Sequence, residues 1–144
     1  MNAPRSSGST VIPCMRYRDA HAAIAWLCKA FGFSKQAVYD DDGGGVAHAQ
    51  LVHGSGMVML GSVRDNEFGK RILQPDQTDL HETQCPYVVV QDCKAHYERA
   101  KAAGAVIVDD YAEKDYGGAG YSCRDPEGHL WSFGSYDPWA EHGG

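Results

Sequence analysis

The sequence lacks any long apolar run. Its apolar stretches are a few residues each, such as Met57-Val58-Met59-Leu60, far short of the ~20 residues a membrane-crossing helix needs. It also lacks a basic stripe: 13 Lys and Arg are scattered against 19 Asp and Glu, a formal charge of −6. Nothing in that pattern neutralises phosphates, so nucleic acid is not an expected partner, and neither is a membrane. The acidic balance suits solubility first and attraction of a cationic ligand second. Residues 1–10 hold one Arg and no apolar core, so they read as a mobile leader rather than a signal peptide. The five cysteines (Cys14, Cys28, Cys85, Cys93, Cys123) are odd in number and show no CxxC spacing. That excludes a disulfide framework and a zinc knuckle as expectations and makes the cytoplasm the expected location.

What is present is a pattern that occurs twice. A strand over Val11–Tyr17 leads to Asp19, an N-cap, and a helix whose stripe is Ile24, Leu27, Cys28 and Phe31, closed by Gly32. Tyr39–Gly45 reads as a turn, Val46–Val52 and Met57–Leu60 as strands. Residues 63–84 are charged and aperiodic, a connecting segment long enough to be a flap, a dimer contact or a tether. Then Tyr87–Val90 is a strand, Asp92 a second N-cap, and Cys93, Tyr97, Ala100 and Gly104 a second helical stripe. Strands follow over Val106–Val108, Tyr121–Arg124 and His129–Ser135, with a glycine-rich loop at Tyr116–Gly120 and a tight turn at Asp125-Pro-Glu-Gly128. The expected fold is α+β: two βαβββ modules, 11–62 and 85–139, joined by 63–84 in one domain, with a tail at 140–144. Their strands form a curved mixed sheet with a concave ligand cavity.

Two stretches carry a family likeness: Arg18-Asp-Ala-His-Ala-Ala-Ile-Ala-Trp-Leu-Cys-Lys-Ala-Phe-Gly-Phe33 and Arg124-Asp-Pro-Glu-Gly-His-Leu-Trp-Ser-Phe133. They resemble the signature regions of the vicinal oxygen chelate superfamily, which includes glyoxalase I, extradiol dioxygenases, fosfomycin-resistance enzymes and bleomycin-resistance proteins. The resemblance implies the paired βαβββ fold. It also implies a divalent metal held from four positions on the first and last strands of each module, usually by His or Gln, Glu, His and Glu. Carried over, those positions fall on Ile12, on Met59, Leu60 or Gly61, on Cys85 and on Ser132. None is the usual ligand, so no metal and no cofactor is expected. The resemblance then points to the metal-free, drug-sequestering members, which dimerise.

The residues suggest where a ligand would sit. On Val46–Val52 the small apolar Ala49 and Leu51 should face the helix, which turns His48 and Gln50 to the other face. Arg16 shares parity with Ile12 and Cys14 and could pair with an anion. Leu130 and Ser132 share a face of the last strand, while Trp131 and Phe133 face the core. Tyr136 and Trp139, beyond that strand, could stack on a planar ligand. The expected site is therefore Arg16, His48, Gln50, Leu130, Ser132, Tyr136 and Trp139. It would bind a small aromatic or cationic molecule, antibiotic-type or metabolite, in a homodimer. The alternative expectation is a metal-dependent lyase, isomerase or dioxygenase with ligands drawn from His48, Cys85 or a nearby acid. No catalytic residue is assigned.

Overall fold

The computed structural model describes residues 8–142. Of the expected leader, Met1–Ser7 lie outside the described residues, whereas Ser9 N donates to Ser55 O at 2.8 Å. The chain divides into two compact units, Met1–Gln74 and Pro75–Gly144.

Unit 1 runs β1 (Cys14–Tyr17), α1 (Ala20–Phe31), β2 (Ser34–Asp40), β3 (Val46–His53) and β4 (Gly56–Ser62). Its sheet has the order β1-β4-β3-β2, with β1 parallel to β4 and the other pairs antiparallel. Unit 2 runs β5 (Tyr87–Val89), α2 (Cys93–Ala102), β6 (Val106–Glu113), β7 (Ala119–Arg124) and β8 (Leu130–Gly134), then a short α3 (Pro138–His142). Its order is β5-β8-β7-β6, again with the first strand parallel to the last. The α+β fold of two βαβββ modules is thus the observed one. The N-caps Asp19 and Asp92 stand 73 residues apart (92 − 19 = 73). The same offset carries the Cys14–Met59 strand pair onto Tyr87–Ser132, and Arg16–Gly61 onto Val89–Gly134.

Local chemistry sets each element. Asp19 accepts from Ala22 N and Asp92 from Ala95 N, so each helix starts on a satisfied cap. Gly32 ends α1 at φ 85, a conformation that costs a residue with Cβ about 1 kcal/mol. Ile24, Leu27 and Phe31 bury against Ala49, Leu51, Val58 and Leu60 of the sheet, each large apolar side chain contributing about 1.5–3 kcal/mol. In unit 2 the Asp125-Pro-Glu-Gly turn is a buried hub. Asp125 Oδ1 accepts from Glu127 N and His129 N, and Oδ2 accepts from Trp131 Nε1 at 3.1 Å, which fixes the fully buried indole.

Several expectations need correction. Tyr39 and Asp40 are not turn residues but the end of strand β2, and β6 runs on from Val106–Val108 to Glu113. Both are edge strands with mostly exposed side chains, so neither shows the apolar alternation that marks a half-buried strand. The first strand is shorter than expected, because Pro13 has no N–H for the ladder; its carbonyl still accepts from Met59 N. Cys28 is only half-buried. His96 joins the second helical stripe: it is buried, with Nδ1 2.6 Å from the Tyr121 hydroxyl and its ring 4.3 Å from Phe133. His129 is buried at the entry to the last strand, and its Nδ1 donates to Glu82 at 3.2 Å. The tail's first residues, Ala140–His142, continue α3.

Candidate functional site

Helix α1 packs on one face of the unit 1 sheet, and strand alternation sends the other side chains to the opposite, helix-free face. There the His48 Nε2 donates to Gln50 Oε1 at 2.9 Å, and Gln50 Nε2 donates to Gln36 Oε1 at 2.6 Å. The Tyr39 ring stacks on His48, with centroids 6.1 Å apart and planes 21° apart. Tyr39 pairs with His48 across β2 and β3, and Ala37 with Gln50. Tyr39 and Gln36 escape sequence reading because β2 does.

Arg16 enters the same face from β1. Its register partner is Gly61, and a Cβ at 61 would lie 2.8 Å from Arg16 Nη1, so the side chain crosses the sheet where β4 offers none. The guanidinium carbon stands 5.2 Å from the centre of the Phe68 ring, which comes from the 63–74 segment. Gln74, 3% exposed, donates to Arg16 O at 2.9 Å and ties that segment to β1. Of the expected site residues, then, Arg16, His48 and Gln50 share one face, with His48 and Gln50 in direct contact.

In unit 2 the helix-free face of β8 carries Leu130 and Ser132. Ser132 Oγ lies 2.7 Å from Ser122 Oγ and 3.5 Å from Cys85 Sγ. Tyr87 covers Gly134 and donates its hydroxyl proton to Tyr136 O at 2.7 Å. Burial, then the neighbouring Tyr116, raises the Tyr87 pKa and keeps that phenol a donor. The Tyr136 ring meets Tyr116 edge-on at 5.4 Å. Trp139 stands on α3, 83% exposed, and among the described residues no ring contact or side-chain hydrogen bond joins it to this group. Arg124 donates to Gly128 O at 2.9 Å.

A cavity of about 570 Å³ lies at the β2–β3 hairpin, lined by Arg18, Asp41, Gly43–Gly45, Ser62 and Arg64 among others. Of its two acids, Asp41 and Asp42, the first is committed to the turn. Asp41 Oδ1 accepts from Gly43 N and Gly45 N, and Oδ2 from Arg64 at 2.9 Å. The Gly45 N–H, more than the Arg64 charge, holds the Asp41 carboxyl below its usual range.

The 73-residue offset also resolves the metal positions implied by the resemblance. Ser132 corresponds to Met59, and Cys85 to Ile12 (85 − 73 = 12). The side chains at the four positions are therefore alkyl, thioether, thiol and hydroxyl. Among the described residues no group of three or more His, Cys, Asp or Glu gathers around a point where a metal could sit.

Paired βαβββ units with a first strand parallel to the last define the class, and the family comparison agrees. The chain belongs to the Glyoxalase/Bleomycin resistance protein/Dioxygenase superfamily, whose profile matches residues 10–133. Among solved structures it is similar to TioX from Micromonospora sp. ML1, at 32% identity and a TM-score of 0.71, covering 88% of this chain and 98% of that one. UcmS2 shares the fold at 18% identity and a TM-score of 0.64, covering 89% and 99%. The fosfomycin resistance protein FosX from Mesorhizobium loti shares it at 11% identity and 0.62, covering 93% and 97%. No curated protein matches the sequence. Among the described residues no helix is long and apolar enough to cross a membrane.

Proposed function

We propose that this chain is a metal-independent, small-molecule-binding member of the superfamily, acting as a homodimer and holding a small aromatic or cationic ligand, antibiotic-type or metabolite. The observation that carries this reading is the helix-free face of unit 1. There a hydrogen-bonded Gln36–Gln50–His48 row, a stacked Tyr39 and a guanidinium offer one ring surface beside several polar groups. Sites for small ligands combine apolar surface with a few placed polar groups in this way. In unit 2 the expected contacts are Leu130 and Ser132, with Tyr136 and Trp139 stacking.

The donor chemistry at Ile12, Met59, Cys85 and Ser132 does not fit a divalent ion of the kind the family uses. Alkyl and neutral hydroxyl groups are poor ligands, and thiol and thioether sulfur favour soft ions instead. The test is metal content by mass spectrometry after incubation with zinc, nickel, manganese or iron and desalting. Well under one equivalent per chain is expected, whereas one per chain would overturn the metal-free reading. In parallel, bleomycin-class drugs should quench the tryptophans saturably, and the drug-binding reading fails if a broad antibiotic panel gives no quenching.

A further inference from the structure

The cavity at the β2–β3 hairpin is a second place where a ligand fits. We infer that it takes a small zwitterion of the short-peptide class. The ligand's carboxylate meets the Arg64 guanidinium and the Ser62 hydroxyl, and its ammonium meets Asp42.

Three observations converge on that choice. The first is the space itself. At about 570 Å³ the cavity falls within the ~300–1,000 Å³ of small-molecule sites. Glycine keeps side chains out of it. A Cβ at Gly45 would stand 2.7 Å from Asp41 Oδ2 and 2.8 Å from Ser62 Oγ, so a larger residue there would displace both. A Cβ at Gly44 would meet nothing within 4 Å, and its φ of 88 lies in the left-handed region that favours glycine. The cavity is also separate from the polar row on the helix-free face. Ser62 follows Leu60 by two residues, so alternation turns it with Leu60 toward α1 and away from His48 and Gln50.

The second is what the lining leaves open. Both Asp41 oxygens are taken, by Gly43 N, Gly45 N and Arg64. Arg64 meets Asp41 and, at 3.4 Å, Val46 O through Nη2 alone. Ser62 Oγ accepts from Val46 N at 2.9 Å and still has its own proton to give. Among the described residues, Nε and Nη1 of Arg64, the Ser62 proton and the Asp42 carboxylate have no partner. Two sets of donors and one exposed acceptor of full charge thus face the same space.

The third is the balance of charge. Arg18 and Arg64 line the cavity with Asp41 and Asp42, and the four charges cancel. A net anion or a net cation gains from one group there and is repelled by another. A zwitterion sets each of its charges on the opposite one. Asp42 makes no ion pair with Arg64, so the ligand's charges must be spaced, which a peptide backbone does at about 3.3–3.6 Å per residue.

The test uses three probes of one backbone: glycylglycine with both charges, N-acetylglycine with the carboxylate alone, and glycine N-methylamide with the ammonium alone. Each is titrated calorimetrically into the full chain at low salt. Glycylglycine is expected to bind about tenfold or more tightly than either single-charge probe, the usual advantage of one charge-assisted bond. Asp42→Asn should bring glycylglycine down to N-acetylglycine and leave N-acetylglycine within about twofold. Arg64→Lys keeps the ion pair with Asp41 and removes the Nε and Nη1 donors. It should weaken glycylglycine and N-acetylglycine alike and leave glycine N-methylamide within about twofold; circular dichroism confirms that both variants fold. Binding of N-acetylglycine equal to that of glycylglycine overturns the zwitterion in favour of an anion, and equal binding of the methylamide overturns it in favour of a cation. No binding by any of the three, or binding that both variants leave unchanged, overturns the site itself. Drug quenching at the helix-free face is read separately and stands or falls without these outcomes.

Discussion

At the scale of single residues, Glu82 shows how much one side chain from an irregular segment can hold. It accepts from His129 Nδ1 and, at 2.8 Å, from Leu130 N, so it clamps the start of β8 from 48 residues away in sequence. Burial alone would raise its pKa, but the His129 and Leu130 bonds, with the charge of Arg124, outweigh burial and the net direction is down. The folded carboxyl therefore titrates below the unfolded one. Its contribution is fully present above the ordinary glutamate range and is lost as pH falls through the folded value. Glu82→Ala is expected to cost about 1–3 kcal/mol in urea unfolding at pH 7, because it leaves Leu130 N–H unbonded. The difference from the parent should shrink in acid. A difference that stays flat with pH would show that the bond is not its source.

At the scale of elements, the helices were readable because caps and stripes coincide. Asp19→Ala and Asp92→Ala are each expected to cost about 1 kcal/mol, measured by chemical denaturation, since each removes the acceptor for a first-turn N–H. A loss well below that would mean water replaces the carboxylate at little cost. The central strands were legible for the same kind of reason: Ala49, Leu51, Val58 and Leu60 alternate with half-exposed neighbours. The edge strands β2 and β6 were not. Lys35, Gln36, Asp109 and Asp110 leave no alternation to read, and their pairing is decided by backbone bonds that any residue can make. The same blindness hid part of the site. His48, Gln50 and Arg16 could be placed by parity, but Tyr39 and Gln36 ride on β2, and Phe68 arrives on an aperiodic segment.

At the scale of the whole molecule, the thiols offer a map of what is enclosed. Cys14 and Cys85 are exposed, while Cys93 and Cys123 are buried. Burial, then the Asp125 charge, pushes the Cys123 thiol up to about 12, and burial raises Cys93 as well. A chromogenic disulfide reagent should therefore titrate Cys14 and Cys85 quickly in the native protein, with Cys93 and Cys123 reacting only after denaturant is added. Fast reaction of all five would contradict the packing of the second core. The internal repeat adds a point about redesign. Gly61 and Gly134 hold equivalent places, and each is capped by a side chain from the neighbouring edge strand, Arg16 on its own rung and Tyr87 from two residues earlier. Each half is thus a socket whose floor is a glycine and whose plug is a single edge-strand residue. Exchanging the plug alone is expected to change the shape and charge of that face, while the hydrogen-bonded ladder beneath it does not have to change.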